Sequence, residues 1–194
     1  GKCSRKGSLM SDKITSLPLF PLFTVLFPKA TLPLHIFEDR YKRMVNFCVE
    51  NQTSFGVVLI KSGVEVGGPA EPYLIGTEAA ITQVKRLEQG KMNLLVLGKR
   101  KFQIQGIVQK EPYLKADVEF LPENRPNQSL KLLMQEVEEF LEQYLNLVSF
   151  ISRQTLPKLN YRNNPTELSY LVPQILPIDW PQKQNFLEMA ATEE

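Results

Sequence analysis

Lys91-Met92-Asn93-Leu94-Leu95-Val96-Leu97-Gly98-Lys99-Arg100-Lys101-Phe102-Gln103-Ile104-Gln105-Gly106-Ile107-Val108 is rich in β-branched and aromatic residues. It reads as two strands, Lys91 to Leu97 and Phe102 to Val108, with the basic run Lys99-Arg100-Lys101 as a solvated turn between them. Phe102 and Ile104 alternate with polar neighbours, as a half-buried strand requires. The same reading extends to Phe55 to Ile60, Ala79 to Leu87 and Leu114 to Phe120, where Ala116, Val118 and Phe120 repeat the alternation. Gln89-Gly90 supplies a hairpin turn. Strands this numerous expose edges unless they close, so a closed or nearly closed barrel is expected.

One helix interrupts the strands at Asp39 to Glu50. Tyr41, Met44, Val45 and Cys48 recur at helical spacing behind Phe37 and should pack on the barrel. The polar stretch Pro122 to Asn127, with two prolines, ends the strand-rich part. Helical periodicity follows in Leu130, Leu133, Val137, Phe140, Leu141, Tyr144, Leu145, Val148 and Ile151, a stripe expected to be buried against the strand lobe. Asn164-Pro165-Thr166-Glu167 opens a second helix with a cap, and Leu168, Leu171, Val172, Ile175 and Leu176 form its apolar face. Pro173 should kink or shorten it. A last helix starts near Asp179, with Gln182 completing a capping box and Phe186, Leu187 and Ala190 facing inward. The fold class is therefore α+β, with a tail or expression remnant at 1–13, a β-rich lobe at 14–122 and a helical lobe at 123–194.

Composition narrows the function. With 43% hydrophobic and 23% charged residues the chain is ordinary for a globular protein, and a net charge of +2 makes no broad positive field for nucleic acid or an anionic membrane. Cys3 and Cys48 have no paired spacing, and Cys48 reads as a buried thiol, which suits a cytoplasmic protein. The apolar run Leu17 to Phe27 imitates a signal-peptide core, but Pro18, Pro21 and Pro28 break it, and no window reaches the roughly 18 apolar residues of a membrane span.

Catalytic patterns are not found. No glycine-rich loop ends in Gly-Lys-Ser/Thr; Gly67-Gly68 runs into Pro69-Ala70-Glu71, an exposed loop. His35 is the single histidine and reads as a packed barrel residue. No serine sits in a Gly-x-Ser-x-Gly elbow, although a serine–lysine dyad depends on space and not on spacing. No catalytic residue, metal or cofactor is expected.

The runs Leu17-Pro18-Leu19-Phe20-Pro21-Leu22, Val25-Leu26-Phe27-Pro28 and Leu32-Pro33-Leu34-His35-Ile36-Phe37-Glu38-x-Arg40-Tyr41 resemble the opening signature of the Lon N-terminal domain family, especially its short free-standing bacterial members. Phe55-Gly56-Val57-Val58-Leu59, Ile75-Gly76-Thr77, Leu97-Gly98-x-Arg100-x-Phe102-x-Ile104 and Tyr113 to Val118 follow in family order. So do Leu168-Ser169-Tyr170 and Lys183-Gln184-x-x-Leu187-Glu188. The resemblance implies a PUA-like β-pseudobarrel followed by a small helical lobe, recognition of unfolded or tagged polypeptides, and cooperation with a separate protease. It also implies that the later ATPase and peptidase domains are missing from this chain, whose last helix reads as still under way at Ala190. Phe37, Glu38, Arg40, Tyr41, Gly76, Gly98, Arg100 and Phe102 then belong to the family signature and are expected to be structural. Phe20, Leu22, Phe23, Leu26 and Phe27, in a run without charge, are the candidate polypeptide-binding residues. Two other classes stay open. A nucleic-acid-binding module would join Lys85, Arg86, Lys99, Arg100 and Lys101 into one basic face, and a cryptic hydrolase would bring a serine or His35 beside a perturbed lysine or carboxylate.

Overall fold

The computed structural model describes residues 14–123, 131–155 and 164–189. The tail at 1–13, most of the break at 122–127, Leu130, the side chain of Leu133, and Ala190 lie outside the described residues. Among the described residues there are seven strands: β1 (Thr15–Leu22), β2 (Thr31–Ile36), β3 (Phe55–Gly63), β4 (Ala70–Pro72), β5 (Ile75–Arg86), β6 (Met92–Gln109) and β7 (Lys115–Phe120). Helix α1 (Asp39–Asn51) lies between β2 and β3, and α2 (Lys131–Ser152), α3 (Pro165–Ile175) and α4 (Trp180–Met189) follow the strands. Five strands close on themselves. The order β1-β7-β6-β5-β3 is completed by parallel pairing of β1 with β3, from Leu19 opposite Gly56 to Leu22 opposite Leu59. β2 adds to the first half of β6 and β4 to β3, outside the ring.

The basic run is not a turn. β6 continues unbroken for 18 residues through Lys99, Arg100 and Lys101, with Lys101 opposite Thr77 of β5. Continuity depends on Gly98, whose amide donates to the Ala30 carbonyl and whose carbonyl accepts from the Lys29 amide, both at 2.8 Å. There the chain at 27–30 crosses β6 so closely that a Cβ would meet the Phe27 carbonyl oxygen. At Gln89-Gly90 the expected turn forms, both residues having positive φ (57° and 69°).

Leu17, Leu19, Val58, Phe102, Ile104, Ala116 and Val118 fill the barrel interior. A larger cluster lies between the sheet and α1, where Phe20, Leu22 and Leu26 meet Tyr41, Met44, Val45 and Cys48 and the Met92, Leu94 and Val96 face of β6. β1 is therefore buried on both faces. Its odd residues Leu17 and Leu19 enter the barrel, while Phe20 and Leu22 turn toward α1.

The two lobes meet differently from the expectation. Their seam is made by Phe27, Tyr170 and Leu187, with Val25, Ala30 and Ile75 beside them, so α3 and α4 dock on the barrel. α2 packs on α3 through Val137, Leu141 and Leu145. On α2, Phe140 is 69% exposed and Ile151 71% exposed, and neither is core. On α4, Leu187 is buried but Phe186 faces solvent. Both helix starts form as read: the Glu167 amide donates to Asn164 Oδ1 at 3.1 Å, and Asp179 and Gln182 exchange side-chain-to-amide bonds at 2.9 and 3.2 Å. Pro173 is carried inside α3, which ends two residues later.

Candidate functional site

Four of the five candidate binding residues are core. Phe20, Leu22, Leu26 and Phe27 are at most 6% exposed, because the burial of β1 on both faces and the seam beneath Phe27 leave them no solvent side. Phe23 alone reaches the surface, at 47% exposure, and its amide donates to the Glu65 carboxylate at 2.7 Å. That bond sets Phe23 beside the loop between β3 and β4.

The same loop walls a cleft of about 830 Å³. Its other walls are the end of β1, the first turn of α1 and the hairpin between β6 and β7. Apolar groups dominate the lining, with Pro21, Tyr41, Pro69, Ile107, Pro112 and Tyr113 among them. Arg40 locks the loop in place: its guanidinium donates to the carbonyls of Gly68 and Glu65, both at 3.2 Å, and to the Glu38 carboxylate at 3.1 Å. Glu38 also accepts from the Gly67 amide at 3.2 Å. Glu38 and Arg40 thus brace a loop and do not cap the helix; the α1 N-cap, Glu38, makes no side-chain cap bond. On the opposite wall Gln109 donates to the Tyr113 carbonyl at 3.0 Å, holding the hairpin.

Tyr41 lies at the base, its ring 4.1 Å from that of Phe20 and under the Arg40 guanidinium at 4.6 Å. Burial pushes its phenol up to about 12, against the lowering effect of Arg40, so it stays protonated. Burial likewise raises the Tyr113 phenol. Both phenols are therefore neutral, and the charged groups of the lining are Arg40, Glu71, Lys110 and Glu111. Among the described residues lining the cleft none is a serine, cysteine or histidine. The arrangement offers apolar surface with a few polar groups around it.

The remaining signature residues are packing elements. The Phe102 ring is fully buried between Gly56 and Gly76, where an added Cβ would come within 2.6 and 2.7 Å of it. Arg100 donates to Glu78 at 3.0 Å and lies 3.8 Å over the Phe120 ring. Phe37 is exposed and stacks on His35 at 5.9 Å. His35 is also exposed, bonded through Nδ1 to Asn93 at 2.7 Å, so it is not a packed barrel residue: β2 lies outside the closed ring.

The basic residues do not join into one face. Lys99 to Lys101 lie opposite Thr77 to Ala79, whereas Lys85 and Arg86 lie opposite Asn93 and Met92, at the other end of the same strand pair. Six to nine residues at ~3.3 Å each separate the two groups. Lys101 is moreover buried and Arg100 is paired with Glu78. Burial lowers the pKa of two lysines, Lys101 to about 8 and Lys183 below its ordinary value. Their ammonium groups donate to main-chain carbonyls of Leu187 and Gln174. His35 is near neither.

The site residues missed in the sequence come from two loops, Gly67-Gly68-Pro69 and Glu111-Pro112-Tyr113. Proline beside an aromatic or apolar residue in each was the available signal; the first reads as an exposed loop, and the second has no reading of its own beyond the family match at Tyr113.

Residues 16–194 match the family model described as the ATP-dependent protease La (LON) substrate-binding domain. The chain is similar to Lon protease 2 of Syntrophobacter fumaroxidans, 28% identical over 94% of this chain and 23% of that protease. It is also similar to the Lon protease of Flavobacterium johnsoniae, 32% identical over 59% of this chain and 14% of that protease. It spans about a quarter, or less, of such relatives. Among solved structures, the Lon N-terminal domain protein from Xanthomonas campestris superposes with a TM-score of 0.64 at 27% identity, covering 90% of each chain. The N-terminal domain of Mycobacterium avium complex Lon protease has the same fold, with a TM-score of 0.62 at 18% identity over 93% of this chain and 91% of that one.

Proposed function

This chain belongs to the Lon substrate-binding domain family, and we propose that it holds unfolded or tagged polypeptides in the cleft between the Arg40-braced loop and the β6–β7 hairpin, for a Lon-type protease. The observation that carries this reading is the cleft itself. Its volume of about 830 Å³ has room for a few residues of extended chain, its walls carry prolines and tyrosines, and the exposed Phe23 lies nearby, its amide bonded to Glu65 of the same loop. Apolar contact at ~25 cal/mol per Å² gives modest affinity for many sequences without demanding one. Neither ATP hydrolysis nor peptide-bond cleavage is assigned to these residues, and the place of action is the cytoplasm. Among the described residues no helix is long and apolar enough to cross a membrane.

The test is binding of a reduced, unfolded protein to this chain at two salt concentrations, with a short RNA as the competing ligand. Phe23→Ser and Ile107→Ser change side chains that are 47% and 40% exposed, so the fold should survive. Together they should weaken polypeptide binding roughly tenfold or more, with little dependence on salt. Tighter binding of RNA, falling steeply with salt and abolished by Lys99→Glu, would replace this reading with the nucleic-acid one.

A further inference from the structure

A second pocket, of about 720 Å³, opens where the barrel meets the helical lobe. Its lining gathers four cations, Lys29, Lys99, Arg100 and Lys101, against the Glu123 carboxylate, with Phe120 and Tyr170 as aromatic walls. Two of these cations are committed elsewhere. Arg100 is held by Glu78, and Lys29 Nζ lies 2.8 Å from Glu167 and 3.8 Å from Glu123.

Lys101 is different. The residue is 2% exposed, and among the described residues its ammonium, with three donors, has one hydrogen bond, a long one of 3.4 Å to the Leu187 carbonyl, and the Tyr170 ring at 5.8 Å. Directly opposite on β5, and so on the same sheet face, Thr77 is fully buried, and among the described residues its Oγ1 has no hydrogen-bond partner. Two neighbouring buried polar groups are thus under-satisfied, and one of them, Lys101, lines a pocket large enough for a small molecule. Such groups cost free energy until an acceptor reaches them. Glu123, whose side chain is 58% exposed, is the carboxylate lining the pocket and competes for that role.

We infer that this pocket binds a small organic anion, a carboxylate or phosphate carried on an apolar or aromatic body, with Lys101 as the buried donor, Lys99 at the rim and Glu123 as the internal competitor. The carboxylate or phosphate meets the ammonium, and the body lies between Phe120 and Tyr170. The site is independent of the polypeptide cleft, and its chemistry is charge-assisted where the cleft's is apolar.

The experiment titrates the whole chain with benzoate, inorganic phosphate and benzamide, following amide resonances by two-dimensional NMR. Benzoate has the charge and the ring, phosphate the charge alone, and benzamide the ring alone. Saturable shifts at Gly98, Lys101 and Tyr170 are expected for the anions and not for benzamide; a response to benzoate alone assigns the site to carboxylates, and to phosphate alone, to phosphoryl groups. Lys101→Met should weaken anion binding at least tenfold. Glu123→Gln changes a side chain that is 58% exposed and only loosely paired with Lys29, and should tighten binding roughly threefold to tenfold. Benzamide binding as well as benzoate, or benzoate affinity unchanged in Glu123→Gln, overturns the proposal.

Discussion

The barrel core can be tested through the pair Gly56 and Phe102. A Cβ at position 56 would lie 2.6 Å from Phe102 Cζ, 2.8 Å from its Cε1 and 2.8 Å from Leu19 Cδ2, all side-chain atoms. Gly56→Ala overpacks a closed interior, which costs ~1–3 kcal/mol, while the loss of glycine's unfolded-state freedom returns ~0.5–1 kcal/mol. A net loss of ~1–2 kcal/mol is expected. Phe102→Leu removes the ring atoms that make the collision and alone costs ~1–2 kcal/mol. In the double variant the added methyl enters the space the ring leaves, so the two losses should fall short of their sum by ~1 kcal/mol or more. Gly98→Ala with Phe27→Leu is the control. There the obstacle is the Phe27 main-chain oxygen, which no side-chain truncation removes, and the pair should be additive within ~0.5 kcal/mol. Urea unfolding with a shared m-value measures all six variants. Additivity at 56 and 102 would mean that the ring does not lie against Gly56, and the packing of the barrel would have to be redrawn.

Phe140→Ala, on the open side of α2, should change stability by less than ~1 kcal/mol, whereas Leu141→Ala one position later should cost ~2–3 kcal/mol in the same urea series. Lys101 titrates near 8 in the folded chain against an unfolded value of 10.5, so between those pH values the unfolded state binds more protons and stability should rise with pH. Glu123 is the charged group that opposes this shift, and the seam offers Lys101 the Tyr170 ring and the Leu187 carbonyl besides. Thermal melts from pH 7.5 to 10 should show that rise in the parent and a flatter profile in Lys101→Met. Arg40→Lys loses the fork that reaches both Gly68 and Glu65, and should loosen the 64–69 loop, read as faster amide exchange there with α1 unaffected.

What the sequence made legible was set by local chemistry. Asn164, Asp179 with Gln182, and Gln89-Gly90 act on backbone within a few residues of themselves, so their readings need no knowledge of the rest of the fold. The spacing of Tyr41, Met44, Val45 and Cys48 on α1 is similarly self-contained, and all four are buried. The errors arise where a second element decides which side of a residue is wet. Lys101 sits in a polar run that looks like a turn, yet α4 covers it. Phe140 and Leu141 share one apolar stripe, but α3 is only wide enough to cover the Leu141 side.

The candidate site follows the same division. A charge-free run such as Leu17 to Phe27 carries the same signal whether it binds a partner or crosses a barrel wall, because both uses demand apolar side chains. Ring closure decides between them: once β1 pairs with β3 as well as β7, one set of its side chains must enter the barrel and the other must meet α1. Long-range pairing of this kind leaves no local mark. The cleft, by contrast, is built from loops whose prolines, glycines and single aromatics are individually unremarkable, and which become a surface only when Arg40 fastens one and Gln109 the other. If the cleft is the polypeptide site proposed above, its binding capacity resides in the bracing bonds as much as in the residues that would touch a ligand. Arg40→Lys should accordingly weaken polypeptide binding although Arg40 is already committed to the loop, and equal binding by parent and variant would separate the cleft from the proposed function.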